Sequence, residues 1–367
     1  MKIIDRYIGG GVVVAMLWGV AVLSLVLIVG NVFQELLDLI VNHGVPPQML
    51  LAFISFVLPF SLTFTIPWGF LTAIMLYFGR LSADNEIIAL RANGVSILRI
   101  SLPVLIVALV LCGFCFWINT EVAPRAEQAM TRTIYNIATS DPSSLFSPDE
   151  TIDRFPDRRI YIGRKDADNL YNIIVFELDK FYPVRVVHAK RGVISADENN
   201  PRLLLKFYDA HFEQRDVKHP RDLTKVRQGI ELSEGTFPLS LANFYESLIK
   251  KKRLTSYTLP ELIAYIRSGA KGEEVRAEVE YNRRFSLSLA CLAFALVAIP
   301  LSITAHRKET SIGFAFSIAV AFCYFFFIIM ADTFRDNAAA HPKFLIWMPN
   351  FIFISIGIVL FWRLLKK

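Results

Sequence analysis

Six long runs of apolar residues alternate with polar segments along the chain. They cover residues 12–33, 49–78, 100–120, 285–305, 311–331 and 344–362. An α-helix needs about 20 residues to cross the hydrocarbon core of a bilayer, so each run is long enough for one crossing. The second run contains Pro59 and Pro67, which favour a kinked or tilted helix that still counts as a single crossing. The pattern predicts six transmembrane helices, three on either side of a polar middle region.

The middle region changes from a helical pattern to strict alternation of apolar and polar residues. The alternating segments begin at Arg159, Tyr171, Val184, Arg202, His211 and Gly229. Period-two alternation with short turns is typical of an antiparallel sheet, and about 100 residues suit a sandwich or jelly roll. Amphipathic helices are predicted on both flanks, at residues 124–137 and 259–284. The second opens with Thr258 as a candidate N-cap and Glu261 three residues on.

The predicted fold class is an α-helical membrane protein with six transmembrane helices, three plus three, and an inserted all-β, jelly-roll-like domain. We expect a division into residues 1–120, 121–284 and 285–367. The charges agree, because 52 of the 72 charged residues fall in the middle segment and 54% of the chain is hydrophobic. A single water-soluble core could not hide the uncharged flanks. The net charge of +6 does not indicate nucleic acid, since basic and acidic residues are mixed in the middle segment.

Basic residues in short loops predict the orientation in the membrane. One side carries Lys2, Arg6, Arg80, Arg91, Arg99, Arg307, Lys308, Arg363, Lys366 and Lys367. The short loops on the other side carry only Arg335 and Lys343. We therefore expect the first side to be cytoplasmic, both termini to lie inside, and the large middle domain to face outward.

Little in the sequence indicates catalysis. Cys112 and Cys115 have the spacing of a redox or metal motif, but they lie in a predicted span without a second ligand pair, which favours packing. The three histidines of the middle region lack the context of a catalytic motif. The glycines at 9–11 lack the lysine and hydroxyl residue of a phosphate-binding loop. We expect a chain with no catalytic residue, metal or cofactor of its own, so that any nucleotide would be bound by another subunit.

The polar segment between the second and third apolar runs predicts a short helix. Ser82 or Asp84 is the expected N-cap, and Gly94 is a typical C-terminal stop. The apolar residues between them are Ile87, Ile88 and Leu90, and the charged ones include Glu86 and Arg91. Such an amphipathic helix has two interpretations. It rests on lipid at the membrane interface, or it is a coupling helix, at about residues 80–94, that docks into a groove on a soluble ATPase.

Several motifs occur in a fixed order within this three-plus-three layout. They are Ile4-Asp-Arg-Tyr7, the segment 76–94, Val122-Ala-Pro-Arg-Ala-Glu-Gln128, the sheet domain, and Arg283-Arg-Phe285 leading to Ile299-Pro-Leu-Ser302. Taken together, they resemble the LptF/LptG permease family of the lipopolysaccharide export ABC transporter, over essentially the full length of the chain. The resemblance does not distinguish an LptF-like from an LptG-like subunit.

The resemblance implies a permease subunit in the bacterial inner membrane with a periplasmic sheet domain. Its partners would be a paralogous permease subunit, a cytoplasmic ABC ATPase dimer and a periplasmic bridge protein of β-jelly-roll fold. The complex would extract lipopolysaccharide from the inner membrane, through a cavity lined by spans one and five, and pass it to the bridge. Carried over by motif, Glu86 would contact the ATPase, with Arg80, Arg91 and Gly94 supporting the helix.

One departure from the family pattern concerns the lipid site. Family members often carry Lys or Arg just past span one, whereas this chain has Gln34-Glu-Leu-Leu-Asp38. Four alternatives follow. The lipid phosphates could contact cations supplied by the partner subunit, or they could contact Arg335 and Lys343 of this chain. Glu35 and Asp38 could bind the phosphates through divalent cations, or the lipid headgroup could differ. A helix-end charge that snorkels to the interface competes with a ligand role for Arg335.

Two other functions stay open at the level of sequence. A non-transporting membrane scaffold could use the outward sheet domain to recruit envelope proteins. A membrane-embedded enzyme acting on lipids is disfavoured, because intramembrane chemistry requires ionisable residues and the predicted spans contain almost none.

Overall fold

The computed structural model describes residues 3–41, 47–140, 149–155, 158–166, 169–179, 182–196, 202–215, 226–240, 253–269, 273–304, 310–335 and 341–366. The chain divides into two compact units. The helical unit comprises Met1–Phe33, Leu51–Gln128 and Arg253–Lys367, and the sheet unit comprises Gln34–Leu50 and Ala129–Lys252.

Six helices among the described residues are long and apolar enough to cross a membrane. They are α1 (Ile3–Val41), α2 (Pro47–Ala83), α4 (Ile97–Trp117), α7 (Glu274–Thr304), α8 (Thr310–Thr333) and α9 (Pro342–Lys366). The shorter helices are α3 (Glu86–Ala92), α5 (Ala123–Ser140) and α6 (Leu259–Arg267). Pro59 and Pro67 both lie inside the continuous α2. These helices confirm a multi-pass membrane protein with three spans on each side of the insert.

The third span extends further than its apolar run. A π-helical turn, Ile118–Val122, joins α4 to α5 without a break, so the helix predicted at residues 124–137 continues the span. The buried Asn119 lies in this turn and donates from Nδ2 to Oγ of Ser288 in α7, 3.2 Å away. Single π turns inside helices are rare and occur frequently at functional sites. Here the amide of Asn119 ties the third span to α7.

Helix α7 forms the centre of the helical unit. Its buried Ala290 and Ala293 leave space for neighbouring helices to approach closely, as small residues do in membrane bundles. The ring of the fully buried Phe294 packs edge-on against Tyr324 of α8, with the centroids 4.8 Å apart, and against Phe353 of α9 at 6.1 Å. The core of the unit therefore runs along α7.

A buried polar network joins α7, α8 and α9. Asn350 donates from Nδ2 to the carbonyl oxygen and Oγ of Ser286, at 2.9 and 2.8 Å. The hydroxyl of Tyr324 donates to Oδ1 of Asn350 at 3.1 Å, and Ser286 donates from Oγ to the carbonyl of Ile346 at 2.7 Å. Because lipid offers no hydrogen bonds, polar side chains inside a span pair with one another. The network fixes the three C-terminal spans against each other.

The sheet unit contains one described six-stranded antiparallel sheet. Its strands are β1 (Glu150–Phe155), β2 (Arg158–Asp166), β3 (Asn169–Asp179), β4 (Tyr182–Ala196), β5 (Arg202–Arg215) and β6 (Val226–Ser240). They lie side by side in sequence order. The inserted all-β domain is thus confirmed, and its described strands form a meander, in which each strand pairs with the next.

The register of the sheet places apolar residues on one face. Ile160 of β2 lies opposite Val175 of β3, and Ile162 lies opposite Ile173; all four side chains are buried. Alternation therefore predicted these strands correctly. Strand β1 was not predicted, and the segments predicted separately from Arg202 and His211 form the single strand β5.

The helical stretch predicted at residues 259–284 is wrong in one respect, because it consists of two helices. Helix α6 ends at Arg267, and Gly269 adopts a φ of 62°, a left-handed conformation that glycine adopts at little cost and that terminates a helix. Helix α7 begins at Glu274. The predicted cap is confirmed: the backbone N–H of Thr258 donates to Oε2 of Glu261 at 2.9 Å.

Candidate functional site

Helix α3 begins later than its sequence predicts. The N-cap is Asn85, with a φ of 58°, and neither Ser82 nor Asp84 takes that position. Ser82 instead donates to the carbonyl of Ile303 in α7, at 3.4 Å, and Asp84 pairs with Arg80 at 3.5 Å. Asparagine tolerates the left-handed region better than most residues. It can therefore turn the chain sharply between α2 and α3.

The end of α3 matches the predicted stop at Gly94. The N–H of Gly94 donates to the carbonyl of Arg91 at 2.9 Å, and the N–H of Val95 donates to the carbonyl of Leu90 at 3.1 Å. Gly94 has a φ of 81°. These paired bonds define a Schellman motif, which satisfies the last carbonyls of the helix and requires a left-handed residue at this point. These bonds end the seven-residue helix α3 at Ala92.

Helix α3 turns one apolar side chain into the bundle and one outward. Ile87 is buried, at 2% exposure, whereas Ile88 is 55% exposed. Leu90 packs partly against the core, and Arg91 is exposed. We call Arg80, Asp84, Glu86, Ile88 and Arg91 the α3 surface. It combines an outward apolar side chain with charges of both signs.

Glu86 on the α3 surface has a hydrogen-bond partner from the start of the chain. The hydroxyl of Tyr7 donates to its Oε2 at 3.1 Å. The hydroxyl of Tyr77 in turn donates to the backbone carbonyl of Tyr7 at 3.1 Å. The Glu86 side chain is half-buried, and its carboxylate is bound by a residue of α1 although it belongs to α3.

A second charged cluster lies at the other end of α7, away from α3. Glu280 is its centre: Oε2 lies 2.6 Å from a guanidinium nitrogen of Arg283, and Oε1 accepts from Nε of Arg284 at 3.1 Å. Arg283 also lies 3.6 Å from Asp332 of α8. We call Glu280, Arg283, Arg284 and Asp332 the α7 charge cluster.

Arg284 is the most deeply buried charge of this cluster, at 3% exposure. Besides Glu280, its guanidinium donates to the carbonyls of Leu254, Thr255 and Tyr257, at distances of 2.7–3.2 Å. These carbonyls belong to the short 3₁₀ turn Leu254–Ser256 and the residue after it. Arg284 therefore attaches the chain that enters α6 to the side of α7. A buried arginine with such a complete set of acceptors has a structural role.

Sequence reasoning missed the α7 charge cluster as a site. In the sequence, the adjacent pair Arg283-Arg284 stands out only as part of a family motif. The sequence feature that indicates this cluster is Glu280, which stands three and four residues before two arginines, directly ahead of an apolar run. Charges at i and i+3 or i+4 share a helix face, so the pairing could have been predicted, but its burial could not.

The predicted lipid contacts differ in what surrounds them. Lys343 forms an ion pair with Glu278, so its charge already has a partner. Arg335 is exposed just past α8 and forms none of the described ion pairs. Glu35 and Asp38 belong to α1, but their side chains lie outside the described residues. The structure brings Arg335 and Lys343 into no shared contact among the residues it describes.

Two of the four cysteines pack inside the bundle, whereas Cys112 is partly buried and Cys323 is exposed. Sγ of Cys115 in α4 lies 3.8 Å from Sγ of Cys291 in α7, and both side chains are buried. Cys112 and Cys115 are both free thiols. In the described part of the chain, no group of three or more His, Cys, Asp or Glu residues is placed to hold a metal ion.

These features define a class: a multi-pass helical membrane protein with an antiparallel sheet domain inserted between its third and fourth spans. Residues 6–363 match the family model described as lipopolysaccharide export system permease LptF/LptG. The chain therefore belongs to the LptF/LptG family and is a lipopolysaccharide export permease, a transporter subunit. It is also similar to a protein of Rickettsia prowazekii (strain Madrid E) described as uncharacterized protein RP871. The two are 21% identical over 252 residues, which cover 65% of this chain and 67% of that protein.

Proposed function

We propose that this chain is the permease subunit of an ATP-driven ABC transporter that extracts lipopolysaccharide from the inner membrane and passes it to a periplasmic bridge. ATP would be hydrolysed on a separate cytoplasmic subunit. The observation that carries the proposal is the α3 surface, which combines an exposed Ile88 with charges of both signs on a helix that begins at Asn85 and is capped at Gly94. Family membership favours transport over the scaffold alternative.

The α3 surface has the features that a docking helix needs. Ile87 anchors the helix in the bundle, while Ile88 can fill an apolar groove on a partner. Glu86 and Arg91 lie on either side of this side chain in sequence and can pair with partner charges. Ser82 lies at the end of α2, directly before α3, and donates a hydrogen bond to the end of α7. A displacement of α3 would therefore be transmitted to α7, the central helix of the bundle. Such a contact lets nucleotide-driven closure of an ATPase move the spans.

The proposed topology follows the basic residues. Arg80, Arg91 and Arg99 lie at the α3 end of the bundle, which we assign to the cytoplasm with both termini. The sheet domain would then be periplasmic, where it would meet the bridge protein. A paralogous permease subunit would complete the lipid cavity. Arg335 is the better candidate for a phosphate contact than Lys343, because Glu278 already neutralises Lys343.

Substitution of Glu86 tests the docking role. We expect Glu86→Ala to weaken binding of the ATPase subunit about 30-fold or more, since truncating one partner of a buried charge pair at an interface costs about 2–5 kcal/mol. Glu86→Lys adds repulsion and should weaken binding further. The measurement is titration of the ATPase subunit onto the permease complex in detergent, with lipopolysaccharide release from proteoliposomes as the second readout.

Glu234→Ala is the matched control, because it removes an exposed carboxylate from strand β6. It should change neither readout. If both Glu86 variants bind ATPase and release lipid as the unmodified chain does, the docking role is wrong. If the unmodified chain purifies from its membrane without any ATPase, the scaffold function replaces the proposal.

A further inference from the structure

The first two turns of α1 contact three other helices at the α3 end of the bundle. Asp5 pairs with Arg99 of α4, with Oδ2 and a guanidinium nitrogen 2.7 Å apart. Tyr77 of α2 donates its hydroxyl to the carbonyl of Tyr7 at 3.1 Å. Tyr7 donates its own hydroxyl to Glu86 of α3 at 3.1 Å. The start of α1 is therefore held by contacts with α4 and α2 in addition to its contact with α3.

The contact between Tyr7 and Glu86 orients a half-buried carboxylate at the start of α3. The hydroxyl of Tyr7 lies 3.1 Å from Oε2 and 3.4 Å from Oε1 of Glu86. A hydroxyl near both oxygens restricts rotation of the carboxylate. An ionised carboxylate has about four lone-pair positions, so most of them stay available to a second donor. Tyr7 is itself 53% exposed, so a partner could reach the pair.

We propose that Tyr7 is a positioning residue that holds Glu86 in the orientation the ATPase subunit binds, which makes the start of α1 a part of the coupling device. The inference rests on the proposed function, in which Glu86 contacts the ATPase. Its physical basis is preorganisation, because a side chain already held in its bound orientation loses less entropy on binding. Through Tyr7, movement of α3 would also be passed to α1.

Gly11 makes this arrangement possible. A Cβ atom at Gly11 would lie 2.2 Å from the ring of Tyr77, whereas a Cβ at Gly10 would meet nothing within 4 Å. Tyr77 therefore lies against α1 only because position 11 has no side chain. A methyl group there would push away the ring whose hydroxyl holds the Tyr7 carbonyl. Gly10→Ala and Gly11→Ala form a matched pair, since both replace a glycine within α1.

The test is a double-mutant cycle in the full permease complex. The dissociation constant of the ATPase subunit is measured for the unmodified chain, Tyr7→Phe, Glu86→Gln and the double variant. We expect Tyr7→Phe to weaken binding about three- to tenfold, the range of a typical hydrogen bond. In the presence of Glu86→Gln, the same change should weaken binding no further. Gly11→Ala should weaken binding as Tyr7→Phe does, and Gly10→Ala should not.

Two controls separate positioning from general damage. Tyr161→Phe deletes the same kind of bond in the sheet domain, where the hydroxyl of Tyr161 donates to Asp149 at 2.8 Å; it should leave the dissociation constant unchanged. The unfolding midpoint of the permease alone should fall no further for Tyr7→Phe than for Tyr161→Phe, since each change deletes one tyrosine–carboxylate hydrogen bond. A merely structural role would lower the midpoint further for Tyr7→Phe than for this control.

The outcomes distinguish the two levels of the argument. If Glu86→Gln weakens binding but Tyr7→Phe does not, or if the two effects add in full, the positioning role of Tyr7 is overturned and the docking role stands. If Glu86→Gln leaves binding unchanged, the docking role fails, and the inference about Tyr7 fails with it.

Discussion

Helices α7 and α1 are both apolar enough to cross a bilayer, yet the protein uses them in opposite ways. The most apolar stretch of α1 is more hydrophobic than that of α7, but only 17% of the α1 stretch is buried, against 67% of the α7 stretch. In a soluble protein the more apolar helix would be the more buried one. Lipid tails are as apolar as leucine, so apolarity does not decide which helix lies inside a membrane bundle.

Small and hydroxyl residues decide the position instead. Helix α7 buries Ser286 and Ser288 together with several alanines, and these residues allow close approach and hydrogen bonds between helices. Helix α1 exposes Leu17, Trp18 and Val22 on its surface. The outer face of α1 must therefore meet lipid or a partner helix, while α7 is committed to its own bundle.

The largest effect is expected from breaking the α7 charge cluster. Glu280→Ala leaves Arg284 buried without its carboxylate partner, and the loss of one member of a buried pair costs about 3–5 kcal/mol. The measurement is the free energy of unfolding in detergent. Glu278→Ala is the control on the same helix, since its pair with the half-exposed Lys343 is worth about 0–1 kcal/mol. Equal losses for the two variants would contradict the central role of the cluster.

An intermediate effect is expected at Gly357, where α9 approaches α7 closely. A Cβ at Gly357 would lie 2.6 Å from Cβ of Leu296 and 2.8 Å from its carbonyl carbon. Because backbone atoms cannot move aside easily, Gly357→Ala should destabilise the protein by about 1–3 kcal/mol through overpacking. Gly113→Ala in α4, where a Cβ would meet nothing within 4 Å, should cost nothing. Thermal unfolding of both variants in detergent checks this, and a harmless Gly357→Ala would show that the two helices are loosely packed.

The smallest effect is expected on the outer face of α1. Val22 is 58% exposed and Val297 of α7 is 3% exposed, so Val→Ala removes the same atoms from the two environments. We expect Val22→Ala to change the free energy of unfolding of the isolated chain by less than about 0.5 kcal/mol. Val297→Ala should cost about 1 kcal/mol, because it leaves a cavity. Comparable losses at the two positions would remove the contrast between the helices.

Local chemistry made much of this protein predictable from its sequence. Span-length apolar runs, alternation from Arg159 onward, and the stop at Gly94 each depend on residues close together in the chain. The same holds for the capping pair Thr258 and Glu261. Two predictions were wrong because a neighbouring residue suited the position better. Asn85, and neither Ser82 nor Asp84, is the N-cap of α3, and Gly269 ends a stretch whose pattern otherwise predicts a continuous helix.

Only the tertiary structure decided which residues meet across the bundle. Tyr7 and Glu86 are 79 positions apart, and Arg99 and Asp5 are 94 apart; no periodicity connects such pairs. The burial of Arg284 likewise depends on carbonyls from a turn about 30 positions earlier. Local periodicity specifies helices and strands because it acts over a few residues, whereas the choice of neighbours in a membrane depends on steric fit and hydrogen bonds between distant segments. The sequence therefore determined the class and layout of this permease, and the packed bundle determined which of its charged residues are available to a partner.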